Sequence, residues 1–160
     1  MKGVHRMRPE RMISEAEARE ILKSCNLGTL SLITPEGIPY GVPVNYYYDE
    51  AANALYFHCA LKGKKMDCMK AHPEVSFSVY KNPVIVEEKF TTHYDSAIVT
   101  GWAEVLNDPE EKSAALTAFS MALAPKGAHR LDEVIGKYKD AVAVVKITIE
   151  SVEGKRNRDA

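Results

Sequence analysis

The residues of this sequence with the clearest potential for chemistry lie at positions 58–65, HCALKGKK, where strand-like sequence leads through a glycine into helix-like sequence. Amides at a helix N-terminus point outward and carry the positive end of the helix dipole, so an anion is stabilised there. Gly63 would let the backbone approach that anion closely, Lys64 and Lys65 add full charges, and His58 can donate a hydrogen bond. The segment predicts a phosphate site, and a solvated lysine cluster is the open alternative. It lacks P-loop spacing, so nucleotide hydrolysis is not indicated.

Two further segments could line a ligand pocket. In Val42-Pro43-Val44-Asn45-Tyr46 the proline interrupts a strand ladder, which leaves backbone groups free to face a flat polar ring. Tyr94 and Ser96 share one face of a later strand and could offer hydroxyls. The alternatives are an edge strand with half-buried tyrosines and a solvent-facing pair of hydroxyls.

A metal site is the other chemistry to consider. Cys68 and His72 are four residues apart and could share a helix face. His58 and Cys59, however, are neighbours on a strand and point to opposite faces. A four-ligand zinc site is therefore not favoured, and no metal is expected.

Patterning elsewhere predicts the elements that position these segments. A capping box at Ser14 and Glu17 opens an amphipathic helix at 14–25. The prolines of segment 38–48 predict an edge or bulged strand. Helices are also predicted at 63–71, from Asp108, and at 131–138. Strands are predicted at 27–34, 38–48, 54–59, 74–86, 93–106 and 142–149. About six strands with helical covers favour a mainly β fold, a closed barrel.

Composition narrows the class of protein. The 160 residues fit a single domain, 1–160, with positions 1–12 as a flexible charged arm. Lys and Arg number 21 against 22 Asp and Glu, which argues against nucleic-acid binding. No apolar run is long enough to span a membrane, and none follows the N-terminus as in a secretory signal. The three cysteines lack regular spacing, so a reducing, cytoplasmic location is expected.

Taken together, these segments resemble the pyridoxamine-phosphate-oxidase-like split-barrel flavoproteins, nearest the branch of the nitroimidazole-resistance proteins. The resemblance spans about residue 11 to Lys155. Its motifs are Val42 to Tyr46, Leu55 to His58 with Ala60 and Gly63-Lys64-Lys65, Tyr94, Ser96 and Gly101, with Arg11-Met12-Ile13, Glu20-Ile21-Leu22, Gly28, Glu111-Lys112 and Leu116. It implies an FMN-binding split β-barrel of Greek-key type that works as a homodimer.

The resemblance also implies roles for particular residues. His58 and the 63–65 turn would hold the FMN phosphate and ribityl region. The backbone at 44–46 would line the isoalloxazine ring, and residues 94 and 96 would come from the second subunit. The implied cofactor-binding set is Val44, Asn45, Tyr46, His58, Cys59, Ala60, Gly63, Lys64, Lys65, Tyr94 and Ser96. No side chain stands out as a catalytic acid or base.

The function this implies is an FMN-dependent oxidoreductase or flavin reductase of the nitroimidazole-reductase-like type, with NAD(P)H as a candidate donor. A non-catalytic flavin or haem binding module, a carrier or sensor, is the main alternative. A haem-degrading barrel, with His58 or His93 on iron, is a third. The oxidases proper carry an arginine–histidine substrate motif near the C-terminus. Here the sequence from Gly154 to Ala160 has no histidine, which argues against vitamin B6 oxidation.

Overall fold

One antiparallel sheet of eight strands dominates the computed structural model, which describes residues 8–158. The strands are β1 Met12–Ile13, β2 Leu27–Ile33, β3 Pro39–Asn45, β4 Tyr47–Asp49, β5 Ala54–Ala60, β6 Glu74–Val86, β7 Thr91–Val105 and β8 Val142–Asn157. The helices are α1 Glu15–Ser24, α2 Lys64–Ala71, α3 Pro109–Leu123 and α4 Leu131–Tyr138. Short 3₁₀ turns occupy Pro9–Arg11, Glu87–Lys89 and Pro125–Arg130. Among the described residues, no helix is long and apolar enough to cross a membrane.

The order of the strands closes this sheet into a split barrel. Strands run β3-β2-β6-β7-β8-β5-β4, and β1 pairs with the side of β8. The two end strands, β3 and β4, are separated in sequence by Tyr46 alone. Successive Cα atoms are about 3.8 Å apart, so the end of β3 and the start of β4 lie within about 7.6 Å. The two edges of the sheet must therefore meet, which confirms the predicted barrel.

Tyr46 lies in the core at the seam of the barrel, the place where the end strands β3 and β4 meet. Its side chain is only 1% exposed, and its ring meets the ring of Phe77 edge-on at 4.9 Å between centroids. Its hydroxyl donates to the carbonyl oxygen of Leu22 at 2.6 Å, and its amide donates to the carbonyl oxygen of Asn26 at 3.0 Å. Leu22 lies in the last turn of α1, where backbone carbonyls receive no hydrogen bond from within the helix. Tyr46 thus joins the barrel seam to the end of α1.

Helices cover the barrel on several sides. The buried residues of α1 (Ala18, Ile21, Leu22) and of α2 (Met66, Cys68, Met69) join the same apolar core as the interior of the sheet. Helix α3 packs outside, where Leu116 forms a second cluster with Tyr56 and Val144. Tyr80 on β6 and Trp102 on β7 alternate with core residues, so they point away from the core and are 69% and 48% exposed.

Most predicted elements are confirmed, including their local signals. Ser14 and Glu17 form the reciprocal capping box, and Asp108 caps α3. The predicted edge strand at 38–48 is correct for β3, but the segment divides at Tyr46 into two strands at opposite ends of the sheet. The prediction missed the short β1 and counted β3 and β4 as one strand, because elements of two or three residues carry little periodicity.

The two ends of the chain correct the sequence predictions. The last strand runs to Asn157 instead of 149, because it continues pairing with β7 as far as Tyr94. Part of the predicted arm has secondary structure, since a 3₁₀ turn at Pro9–Arg11 leads into β1 and Met12 pairs with Lys155. Residues 1–7 lie outside the described part. A Cβ at Gly154 would come within 2.7 Å of Ile13, so the glycine permits this close contact.

Replacing Tyr46 with Phe should lower the free energy of unfolding by about 1–3 kcal/mol, because the Leu22 carbonyl would stay buried without its donor. The measurement is chemical denaturation of parent and variant. Tyr47→Phe is the matched control, since the Tyr47 ring stacks on Tyr56 while its hydroxyl makes no hydrogen bond within residues 8–158. Equal losses in the two variants would show that the Tyr46 hydroxyl does not hold the seam.

Candidate functional site

Positive charge is concentrated where β5 leads into α2. We call residues 62–65, the end of the loop and the first two residues of α2, the lysine turn. Gly63 precedes α2 with φ 132°, a backbone conformation that favours glycine. The amides in the first turn of an α-helix have no partner inside the helix. In the described part of the chain, no side chain caps them at the start of α2. Within residues 8–158, no acidic side chain forms an ion pair with Lys62, Lys64 or Lys65. The turn therefore has both the amides and the charge that an anion requires.

Lys64 brings this turn against β3. Its Nζ lies 4.1 Å from the centroid of the Tyr40 ring, within range of a cation–π interaction. Two segments that the sequence analysis treated separately, the lysine turn and the irregular strand, are thus neighbours.

The open edge of β3 offers backbone groups beside the turn. Among the described residues, β3 pairs with β2 alone, and Pro39 and Pro43 lie four residues apart along β3. Proline donates no ladder hydrogen bond, so prolines are tolerated where the N–H position faces away from the neighbouring strand. Because strand residues alternate, the amides of Gly41 and Asn45 face the same open edge. These groups could meet the polar edge of a flat ligand.

The three residues predicted to line the isoalloxazine ring, 44–46, differ in which side-chain and backbone groups are free to contact a ligand. Val44 is half-buried against the core. Asn45 is exposed, and its side-chain amide donates to the Asn26 carbonyl at 3.0 Å. The ring and amide of Tyr46 are both used in the seam. Only the backbone edge at Asn45 and before it remains open to a ligand.

The end of β5 presents two residues outward and one inward. His58 and Ala60 are exposed, whereas Cys59 is buried with its Sγ 3.8 Å from the Sδ of Met66. Burial raises the pKa of the Cys59 thiol, with a smaller opposing effect from Lys65. The Cys59 side chain therefore packs in the core, away from the turn. Within the described residues, no three His, Cys, Asp or Glu side chains are placed to hold a metal ion.

His58 lies on β5, and its side chain packs against α3. Its ring meets Phe119 edge-on, with 4.9 Å between centroids and 74° between planes. The residue as a whole is exposed, but the ring is partly buried beside Phe119, and this burial lowers the pKa of His58 below its ordinary value of 6.5. The imidazole is then uncharged at neutral pH, and it can donate from one nitrogen and accept at the other.

Tyr94 and Ser96 lie far from this turn within one chain. Ala60 pairs with Val142 on β8, while Tyr94 pairs with Asn157, a separation of 157 − 142 = 15 positions along the same strand. Measured along β8 this is roughly 50 Å of strand, so Tyr94 and Ser96 lie at the opposite end of β8 from the turn. Ser96 is closer to the predicted ring-lining strand, because it pairs with Tyr80 on β6, and β6 and β3 both pair with β2. Three strand spacings, about 15 Å along the sheet, therefore separate Ser96 from Asn45. Their contribution to a second subunit's site stays a prediction.

Sequence reasoning missed an ion-pair network beside Ser96. Asp95 is only 4% exposed, and its two oxygens accept from Arg156 Nε at 2.7 Å and Arg158 at 2.6 Å. Arg156 also binds Glu17 at 2.9 Å. The sequence contains a sign of this network, because Asp95 is an acidic residue among the apolar residues of the inward face of β7. Arg156 and Arg158 are thus paired with acidic groups of the fold, and the buried member of the network is Asp95.

Comparison with known proteins agrees with this architecture. The sequence profile of the family described as pyridoxamine 5'-phosphate oxidase matches residues 14–156. No curated protein has a significantly similar sequence.

Three solved structures share the fold. One is a candidate 5-nitroimidazole antibiotic resistance protein from Bacteroides thetaiotaomicron, 21% identical, with 90% of this chain and 85% of that chain covered and a TM-score of 0.74. An FAD-binding protein from Mesorhizobium loti is 25% identical, with 93% and 97% covered and a TM-score of 0.69. An FAD and haem binding protein from Mycobacterium smegmatis is 19% identical, with 92% and 75% covered and a TM-score of 0.73.

The lowered pKa of His58 predicts a pH dependence of stability. Below pH 6.5 the unfolded chain binds a proton at this histidine more readily than the folded chain does, so acidification should destabilise the fold. The drop in the unfolding midpoint from pH 7.5 to pH 5.5 should therefore be smaller in His58→Asn than in the parent. His129→Asn, at an exposed histidine of a 3₁₀ turn, should keep the parent's slope. Identical slopes in parent and His58→Asn would contradict the assignment.

Proposed function

Because this chain belongs to the pyridoxamine 5'-phosphate oxidase family, we propose that it is a flavoprotein that binds FMN and uses it as an oxidoreductase of the nitroimidazole-reductase-like type. The observation that carries the proposal is the lysine turn at the uncapped start of α2, placed by Lys64 against the open edge of β3. The fold neighbours that bind FAD, or FAD and haem, support a flavin in this kind of barrel.

The residues present suit the two ends of a flavin mononucleotide. The amides of the first turn of α2, with Lys64 and Lys65, would hold the phosphate. The open backbone edge of β3 up to Asn45 would hydrogen-bond the polar rim of the isoalloxazine ring. His58, uncharged and beside the turn, would contact the cofactor or its substrate as donor or acceptor. When bound, the flavin supplies the electron-transfer chemistry, and the protein supplies position and electrostatics.

The phosphate assignment is tested by a double substitution, Lys64→Ala with Lys65→Ala. Hydrogen bonds to charged groups are worth about 1.5–3 kcal/mol each, so the affinity for FMN should fall at least about tenfold. The affinity for riboflavin, which has no phosphate, should change little. Fluorescence titration of both flavins measures the two effects.

A matched control removes the same charge elsewhere, with Lys70→Ala at the end of α2 and Lys89→Ala in a 3₁₀ turn. FMN titrations of the Lys64/Lys65 variant that coincide with the parent would refute the phosphate site. A parallel titration with FAD decides which flavin is the cofactor. If the parent protein binds FAD more tightly than FMN, then FAD is the cofactor.

We further propose that the protein is a homodimer with both subunits contributing to each site. Tyr80 pairs with Ser96 across β6 and β7 and is 69% exposed, so an exposed apolar residue lies directly beside a predicted second-subunit residue. Apolar surface of this kind often marks a protein interface. Association through this face would also bring Tyr94 and Ser96 of one subunit toward the site of the other.

Tyr80→Asp should therefore shift the protein from dimer to monomer, because it would bury a charge in that interface. Light scattering at a fixed protein concentration measures the change. Met121→Asp, at another exposed apolar residue on α3, should leave the dimer intact. A parent protein that is monomeric with flavin bound would exclude this arrangement.

The second candidate function is a flavin or haem binding module without turnover, which the FAD and haem binding neighbour favours. The absorption spectrum of the purified protein separates these cases, since flavin bands and a haem Soret band differ. Oxidation of NADH or NADPH by the flavin-loaded protein supports the enzyme, and tight flavin without turnover supports the module. The free thiols of Cys25, Cys59 and Cys68 agree with the proposed reducing, cytoplasmic location.

A further inference from the structure

A separate cavity of about 210 Å³ lies between the outer face of the barrel and helices α3 and α4. Its walls are mainly apolar, formed by Leu116, Val134, Ile135 and Val142. Pockets for drug-sized ligands usually measure about 300–1,000 Å³, so this cavity is too small for a flavin. A molecule with a single ring would fill it.

Four polar side chains also line this cavity: His58, Ser120, Tyr138 and Lys139. Within residues 8–158, none of them makes a hydrogen bond or an ion pair through its polar atoms. A mainly apolar cavity with a few polar residues in its wall is typical of a small-molecule site.

The charges around the cavity select the ligand. Of the described residues that line the cavity, Lys139 carries the only full charge, and none is a carboxylate. Ser120 and Tyr138 have hydroxyls that can donate, and His58 can donate from one ring nitrogen. An anionic oxygen is favoured beside such donors, and the apolar walls favour a flat hydrocarbon ring.

We propose that this cavity binds a single-ring aromatic carboxylate, with the ring against Leu116 and Val142 and the carboxylate on the Lys139 ammonium. His58 lines the cavity and also lies beside the proposed flavin turn. The ligand would therefore lie next to the flavin, and this adjacency alone rests on the proposed function. Binding of the carboxylate does not depend on it.

The test uses the full chain as purified, with benzoate and its uncharged analogue benzamide titrated by NMR. Benzoate should bind at least about fivefold more tightly than benzamide, and Lys139→Gln should remove this preference. Lys126→Gln is the matched control, because Lys126 is exposed on the 125–130 turn and does not line the cavity. Equal binding of the two probes by the parent, or an unchanged preference in Lys139→Gln, would overturn the proposal.

A second variant tests the cavity itself. Ser120→Leu would fill it from α3, and benzoate binding should be lost while the flavin affinity and the melting temperature are retained. Retained benzoate binding in a folded Ser120→Leu variant would place the ligand elsewhere and overturn the proposal; if this variant does not fold, Lys139→Gln decides. Benzoate binding without any flavin binding would refute only the proposed function, and flavin binding without benzoate binding would refute only this inference.

Discussion

The structure depends on one constraint, the single residue that joins the two edges of its sheet. β3 and β4 end the strand order on opposite sides, and Tyr46 is all that separates them along the chain. Its buried hydroxyl and ring fix that short connection to α1 and to β6. The barrel closes here without a ladder between its two edges, which leaves β3 with an open backbone edge. The lysine turn before α2 lies against this same strand, through Lys64 and Tyr40. The candidate site therefore results from the way the barrel closes.

Two clusters of basic residues in this protein have different surroundings. Arg156 and Arg158 meet the buried Asp95, so their charge is compensated inside the fold. Breaking a buried pair leaves an uncompensated charge, which makes such a network a structural feature. The lysines of the α2 turn have no acidic partner within residues 8–158, and the adjacent helix amides add to their field. An anionic ligand is the partner that we propose for this second cluster.

The outer surface of the barrel is used in two ways. On β5 and β8 it is covered by α3 and α4, which leave a small cavity at His58. On β6 and β7 it exposes Tyr80 and Trp102, the face where we propose that a second copy of the chain binds. His58 faces the first of these surfaces and adjoins the lysine turn, so one histidine links the helical cover to the proposed cofactor site. Its contact with Phe119 holds the ring at that junction.

Local interactions allowed much of this protein to be predicted from its sequence. Caps at Ser14 and Asp108, strand alternation, and the Gly63-Lys64-Lys65 turn depend on residues a few positions apart, and they appear in the structure where the sequence predicts them. The family resemblance added the barrel type, which neither caps nor periodicity could specify. What only the tertiary structure decided depends on residues brought together from distant positions. The division at Tyr46 and the pairing of Asp95 with Arg156, 61 positions away, depend on which strands become neighbours. The cavity shared by His58 and Tyr138 likewise exists only where α4 packs beside β5. Local sequence patterns do not encode such neighbours, because they follow from closure of the whole sheet.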